Sequence, residues 1–403
     1  MHYFVNQLAP WLDLYDTESY FATIVPQRAR TCPPLLNAIF TTSAKHLSRV
    51  KMYHARGQSK YDGKIIANLT AETAIHYHNH CIEHLISLPE SLPEIEKENL
   101  LAAAIILRFY EEVDAPSIAE DMENAVSGIQ VFLNIHTMST SPDSGNLHAA
   151  YWVILRQEAL TAFAKQRPFR IPLGPCLSYR SFEPADDFVW TNRLVIHLAD
   201  VLQFCFGVNE KLSTAAQQRL SPQKTTSESS TANTDMSLSE RLARYDKLVA
   251  FGTYWEEHKP PSFVPIYARD PDCLRGEVFP EIWFLGSCHA VGIQHLELAR
   301  ILLTVYNPKV VRLGLNRQAT LLSIDHEVKT IVLRLCGIAT THRSVVPALL
   351  TACIAIAMCG DRFTDHSQQE ALLSILVELE EEHAWPTKAT QIQLKDVWGW
   401  KDG

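Results

Sequence analysis

The stretch FPEIWFLGSCHAVGIQHLELARILLTVYNP, Phe279 to Pro308, decides how the rest of the chain is read. Pro280 suits a first helical position, where its missing N–H costs nothing. Glu281 puts a negative charge where a helix dipole favours it, and Arg300 lies towards the opposite end. Asn307-Pro308 stops the run, because the residue before a proline is pushed out of the α region. Between these marks Trp283, Phe284, Leu285, Val291, Ile293, Leu296, Leu298, Ile301, Leu302 and Val305 cover most of the circumference. A helix that is apolar nearly all round is buried in a larger protein or in a membrane. Glu281, His289, Gln294, His295, Glu297 and Arg300 argue against the bilayer. The stretch therefore predicts one central helix over about 280–307, roughly 35–40 Å long, with other helices packed around it.

Outward from that helix, the punctuation repeats. Helices are predicted over Leu35–Met52, Thr70–Ser87, Leu100–Val113, Leu147–Gln166 and Asp186–Gly207, most of them closed by a proline. Ser117-x-x-Glu120, Ser237-x-x-Glu240 and Ser367-x-x-Glu370 read as capping boxes, each opening a helix. Further helices are expected over Asn316–Thr340, Val345–Gly360, Ser367–Ala384 and Lys388–Trp398, and Phe169–Pro184 reads as an extended crossing. No alternating apolar and polar run bounded by turn dipeptides is evident, so no sheet is expected. The fold class is all-α, a layered multi-helix domain. Ser213 to Ser239 has almost no large apolar residue, which predicts a flexible Ser/Thr-rich loop over 209–238. That loop separates an N-terminal helical part, 1–208, from a C-terminal part of the same domain, 239–403.

Composition narrows the function classes. With 47% hydrophobic and 20% charged residues the chain is ordinary globular material. Its net charge of −9 speaks against nucleic-acid binding by these residues, since phosphate contacts need clustered Lys and Arg. The apolar run Val345–Cys359 is too short to span a membrane. No basic, apolar signal peptide opens the sequence, and nine scattered cysteines read as reduced thiols of an intracellular protein.

Chemical motifs are sparse. GxGxxG, GxxxxGK[ST], GxSxG and HExxH are all missing from the sequence, so no catalytic residue and no cofactor is assigned. His76, His80 and His84 share one helix face at i, i+4, i+8, a spacing that can offer two zinc ligands. Without a third ligand a polar helix face is the better reading. Cys336, Cys353 and Cys359 lack flanking cations that would activate a thiol, and read as small buried hydrophobes. In Arg156-Gln157-Glu158, mid-helix among Trp152, Leu155 and Leu160, at least one charge is expected to face inward and be paired. A small-molecule site, where one exists, is placed between the central helix and its C-terminal neighbours: Trp283, His289 and His295 from the helix, with Trp255, Cys336 and Met358 closing over them. Aromatic walls with a few imidazoles suit an apolar, polycyclic or polyketide-like ligand. The alternative is that these residues simply fill the core.

Several collinear stretches together resemble the fungal-specific transcription factor domain, the regulatory half of zinc binuclear cluster activators. They are Cys32–Arg49 (CPPLLNAIFTTSAKHLSR), Tyr77–Ile86, Arg108–Glu112, Leu155–Phe169, Asn192–Gly207, Tyr245–Tyr267, the central helix, and Glu380–Trp400. The resemblance implies an α-helical effector domain that senses a ligand and contacts proteins, a nuclear role, and dimerisation or pairing with a full-length relative. The family's six-cysteine zinc module has no counterpart here, because the sequence contains no CxxC. The expectation is a regulator without its own DNA-binding module, located in the nucleus, or in the cytoplasm if that module is truly absent, and tied to secondary metabolism. The competing class is an enzyme on the same helical pocket, cyclising or isomerising an apolar secondary metabolite by positioning plus one or two polar side chains.

Overall fold

The computed structural model describes residues 1–16, 18–55, 58–66, 69–86, 93–114, 146–207, 237–310 and 314–400. A π-helical turn, Phe4–Leu8, leads into α1 (Ala9–Leu12), α2 (Tyr20–Arg28), α3 (Pro33–Arg49), α4 (Ala71–Ile86) and α5 (Glu94–Asp114). Next come α6 (Asn146–Ala164), α7 (Asp187–Phe206), α8 (Leu238–His258) and α9 (Ser287–Val305). The chain finishes with α10 (Arg317–Thr341), α11 (Val346–Cys359), α12 (His366–Glu382) and α13 (Lys388–Val397). The all-α class holds. The helix expected after Ser117-x-x-Glu120 and nearly all of the Ser/Thr-rich stretch lie outside the described residues.

Helix α3 packs on α4 and α5, and α9 packs on α7, α10 and α11. The helix α6 touches α5, α7 and α11 and so links the two groups. One continuous apolar cluster runs from Tyr3 and Phe4 through Trp152 and Leu298 to Leu376 and Leu394. A second cluster gathers Trp190, Trp255, Phe263, Phe284 and Ile338 beside it.

The central helix is real but shorter than its apolar pattern predicts. It begins at Ser287, not at Pro280, with Gly286 in extended backbone ahead of it, and is about 28 Å long. Fifteen of its nineteen residues are buried, which makes it the core helix the sequence called for. Of the seven residues lost from its start, three are re-used in a sheet. Glu281–Trp283 (β5) pairs antiparallel with Tyr267–Arg269 (β4). A contiguous apolar run such as Ile282-Trp283-Phe284 satisfies a strand as well as a buried helix, and pairing with a distant segment decided between them.

A second sheet also departs from the expectation of none. His54–Ala55 (β1), Gln58–Tyr61 (β2) and Lys64–Ile66 (β3) form a three-stranded antiparallel meander. Its β2–β3 turn is Asp62-Gly63, with φ of 49° and 74°, the two consecutive positive-φ residues that a tight primed hairpin turn requires.

The capping box at Ser237 is present in full. The Ser237 amide donates to Glu240 Oε2 (2.8 Å) and the Glu240 amide to Ser237 Oγ (3.2 Å). The one expected at Ser367 is displaced: helix α12 starts at His366, immediately after Asp365, whose carboxylate accepts the Gln368 amide at 3.0 Å. An Asp caps as well as a Ser, and here it comes first. Within the predicted crossing, Gly174–Arg180 coils into a 3-10 segment.

Candidate functional site

Where α1, α5, α6, α9 and α11 meet, a cavity of about 110 Å³ is left between them. Trp11 and Leu12 close one side, with Phe109 from α5 and Val153 and Leu160 from α6. Val291 and His295 come from the central helix, Leu350 and Ile354 from α11, and Trp385-Pro386 from the turn after α12. Trp11 and Phe109 meet edge to face, ring centroids 5.0 Å apart, and Phe109 lies 6.3 Å from Trp385. Such aromatic contacts fix ring orientation and keep this wall in shape.

Charged and polar groups sit among these walls. Arg156 is buried and donates through Nη2 to the Leu12 carbonyl (2.8 Å), tying α6 to α1. Its Nε donates to the Trp152 carbonyl. His295 Nδ1 donates to the Val291 carbonyl at 2.7 Å, which fixes Nε2 as the acceptor nitrogen of a neutral ring. Burial pushes its pKa down to about 4, opposed by that hydrogen bond and reinforced by the Arg156 charge. Glu112 is raised by burial and held back by Arg108, whose Nε donates to it at 3.2 Å. Arg108 also donates to Thr161 Oγ1 (2.9 Å). The cavity is thus apolar in its walls, with a guanidinium, a neutral imidazole and a carboxyl at fixed places. A cavity of about 150 Å³ holds one benzene, so this one, at about 110 Å³, suits a short-chain molecule or at most one small ring. A polycycle does not fit it as it stands.

Of the six residues placed at a site from sequence, His295 alone lines this cavity. Trp255 is fully buried in the second cluster, edge-on to Phe263 at 5.3 Å. His289 is held by Asp187, Nε2 to Oδ2 at 2.9 Å, at the start of α7. Cys336 is fully buried in the main core, and burial drives its thiol pKa upward. Met358 packs partly buried against that core. Trp283 stands on β5, 42% exposed, its Nε1 donating to Glu281 at 3.0 Å. Once the central helix begins at Ser287, the helical spacing that put Trp283 near His289 no longer applies.

The histidines of α4 are engaged within their own helix. His84 Nδ1 donates to the His80 carbonyl (2.7 Å), His80 Nδ1 lies 3.2 Å from Glu83 Oε2, and the His76 and His80 rings meet at 4.5 Å. Among the described residues, the group spaced to share a metal ion is a different one, Glu378, Glu382 and His383. Glu378 already pairs with Arg343 at 2.8 Å.

The walls missed from sequence were Trp11, Phe109 and Trp385, which lie on three segments far apart in the chain. Arg108 and Phe109 belong to a stretch that already carried a family resemblance, and comparison with known families sharpens it. Residues 1–137 match the fungal specific transcription factor domain. The matched residues supply Trp11, Leu12, Leu14, Phe109 and Glu112 to the cavity. The remaining walls come from beyond it. No curated protein and no solved structure matches the chain. Among the described residues, no helix is long and apolar enough to cross a membrane.

Proposed function

We propose that this chain is the effector part of a fungal transcription regulator, acting in the nucleus, and that its central cavity takes a small apolar ligand with one polar end. The observation that supports this is the origin of the walls. Leu12 and Phe109 lie within the matched family domain, whereas Val291, His295, Ile354 and Trp385 lie outside it. A ligand held there contacts both parts at once and stabilises their packing by its binding free energy. Arg156 and the acceptor nitrogen of His295 provide the polar end with a cation and a hydrogen-bond acceptor. The 403 residues themselves do not read DNA in this proposal. Their net charge of −9 opposes phosphate binding, and a DNA-reading relative or a second copy supplies that step.

The test uses the full chain and a panel of single-ring probes, toluene, phenol and benzoate, read by thermal unfolding. A probe that fits raises the midpoint in proportion to the logarithm of its concentration. The substitution Val291→Phe fills the cavity and removes the response. A response equal in the wild type and Val291→Phe refutes the cavity as the site. Tight, salt-sensitive binding of duplex DNA by the same chain refutes the claim that these residues do not read DNA.

A further inference from the structure

The small sheet formed by β4 and β5 has one edge covered and one edge open. On the β5 side, Thr341 Oγ1 donates to the Ile282 carbonyl (2.6 Å) and the Phe284 amide donates to His342 Nε2 (3.2 Å). The end of α10 therefore occupies that edge. On the other side, the sheet stops at β4, and no further strand lies beyond it among the described residues.

Native proteins blunt open strand edges with charge, short length or cover; this edge is three residues long and its charge, Arg269, is taken up by Glu277 and Glu281, so short length alone blunts it. Ile266 and Tyr267 are 67% and 47% exposed, and Leu285, just past β5, is 64% exposed. Tyr267 stands directly opposite Trp283 in the register, so both rings are on one face of the sheet. The Trp283 indole is pinned by its bond to Glu281, which leaves a large aromatic surface ordered yet facing solvent. Exposed, pre-ordered Trp and Tyr are the residues that carry most of the energy at protein interfaces.

The rim next to this face is acidic. Arg269 is shared between Glu277 (2.6 Å) and Glu281 (3.2 Å), and Arg275 lies against Asp272 (3.3 Å). With Asp270, these are four carboxylates against two guanidinium groups, an excess of negative charge that selects a cation.

We propose that the open edge of β4 docks an extended peptide from another protein. The peptide adds a strand to β4 through its backbone, lays alternate apolar side chains on Tyr267, Trp283 and Leu285, and brings a lysine or arginine to the Glu277–Glu281 rim. Strand addition of this kind takes its affinity from main-chain hydrogen bonds and its selectivity from the side chains of one face.

The probe is an eight-residue peptide, two lysines followed by alternating valine and threonine, added to the full chain. Binding is read by Trp283 emission and by protection of the β4 amides from hydrogen exchange. The peptide is expected to slow exchange at Tyr267–Arg269. Its copy with alternate amides N-methylated, in whichever register removes the pairing, is expected not to bind. Exchanging the lysines for glutamates, or making Trp283→Ala, is expected to weaken binding by about tenfold or more. Leu285→Ser gives a second reading of the same face should Trp283→Ala disturb the fold. No protection at β4, or equal binding of the methylated and glutamate copies, overturns the proposal. So does a concentration-dependent dimer of the full chain that is lost in Ala268→Pro, because the occupant is then a second copy.

Discussion

Glu158 is the most completely buried carboxylate whose partners are all visible, and its removal has a calculable cost. It is 0% exposed. It accepts from Arg167 Nη1 at 2.6 Å and Nη2 at 3.0 Å, and from the Arg170 amide at 2.9 Å. This fork closes the turn after α6, where Gln166 takes a positive φ of 49°, and directs the chain towards Phe169 and Ile171 in the core. Glu158→Ala strands the Arg167 guanidinium, whose side chain is only 11% exposed. Breaking one partner of a buried pair costs about 3–5 kcal/mol. The orphaned Arg170 amide falls within that figure, because the turn relaxes once the pair is gone. With a urea slope of about 3 kcal/mol per molar, the unfolding midpoint should drop by roughly 1 M or more. The double change Glu158→Met with Arg167→Met should recover most of the loss, since replacing both charges by apolar groups leaves nothing buried and unpaired. A Glu158→Ala midpoint within about 0.3 M of wild type, at that slope, would refute the assignment of this pair as a structural lock.

Three further outcomes are expected. Gly337→Ala on α10 drives a methyl into the Pro280 carbonyl ahead of β5. The gain in helix propensity is at most about 1 kcal/mol, the steric cost about 1–3 kcal/mol, so urea unfolding should show net destabilisation and Trp283 emission should shift. Burial pushes His46 and His295 down to about 4 and His197 down to about 3. The unfolded imidazoles take protons below about 6.5 that the folded ones refuse, so stability falls as pH drops from about 6.5 to about 4. Asp13, raised to about 6 by burial, and Glu112 and Glu378, also raised by burial, work in the opposite direction, but burial lowers His383 as well and four imidazoles outweigh three carboxyls. Equal urea midpoints at pH 7 and pH 5 would contradict this. Finally, Cys336 and Cys353 are fully buried, and burial raises both thiol pKa values. A thiol reagent should modify them only on unfolding, as peptide mapping of the native and denatured protein would show.

Helix positions were legible because their signals are local. The Ser237 capping box, the proline stops and the apolar circumference of α9 each lie within a few residues of what they determine. The inward charge expected in Arg156-Gln157-Glu158 was legible for the same reason, and Glu158 and Arg156 are both buried. Pairing over a distance was not. Residues 267–269 and 281–283 are joined by a loop whose contents give no hint of a strand on either side. For β2 and β3 the Asp62-Gly63 dipeptide was in view, but strands of three or four residues are too short for alternation to register. The site followed the same division. His295 was found from the central helix alone, whereas Trp11, Phe109 and Trp385 meet it only through the packing of three separate segments.

The family match ends at residue 137, but the packing does not respect that boundary. His46 Nε2 hydrogen-bonds the His383 carbonyl at 2.9 Å, and its Nδ1 meets the Tyr3 hydroxyl at 2.7 Å. One imidazole thus joins the first residues of the chain, α3 and the turn after α12. Lys51 pairs with Glu381 at 2.6 Å and Arg49 approaches Glu380 at 3.8 Å, lining the same seam. These exposed pairs contribute little free energy individually. The buried imidazole matters more, because a neutral ring with two partners in a dry core is costly to leave half-satisfied. The cavity lies on this seam, with Trp11 5.5 Å from the His46 ring and 6.4 Å from His383. Any occupant of the cavity therefore bears on the contact between the residues of the family match and the helices beyond them.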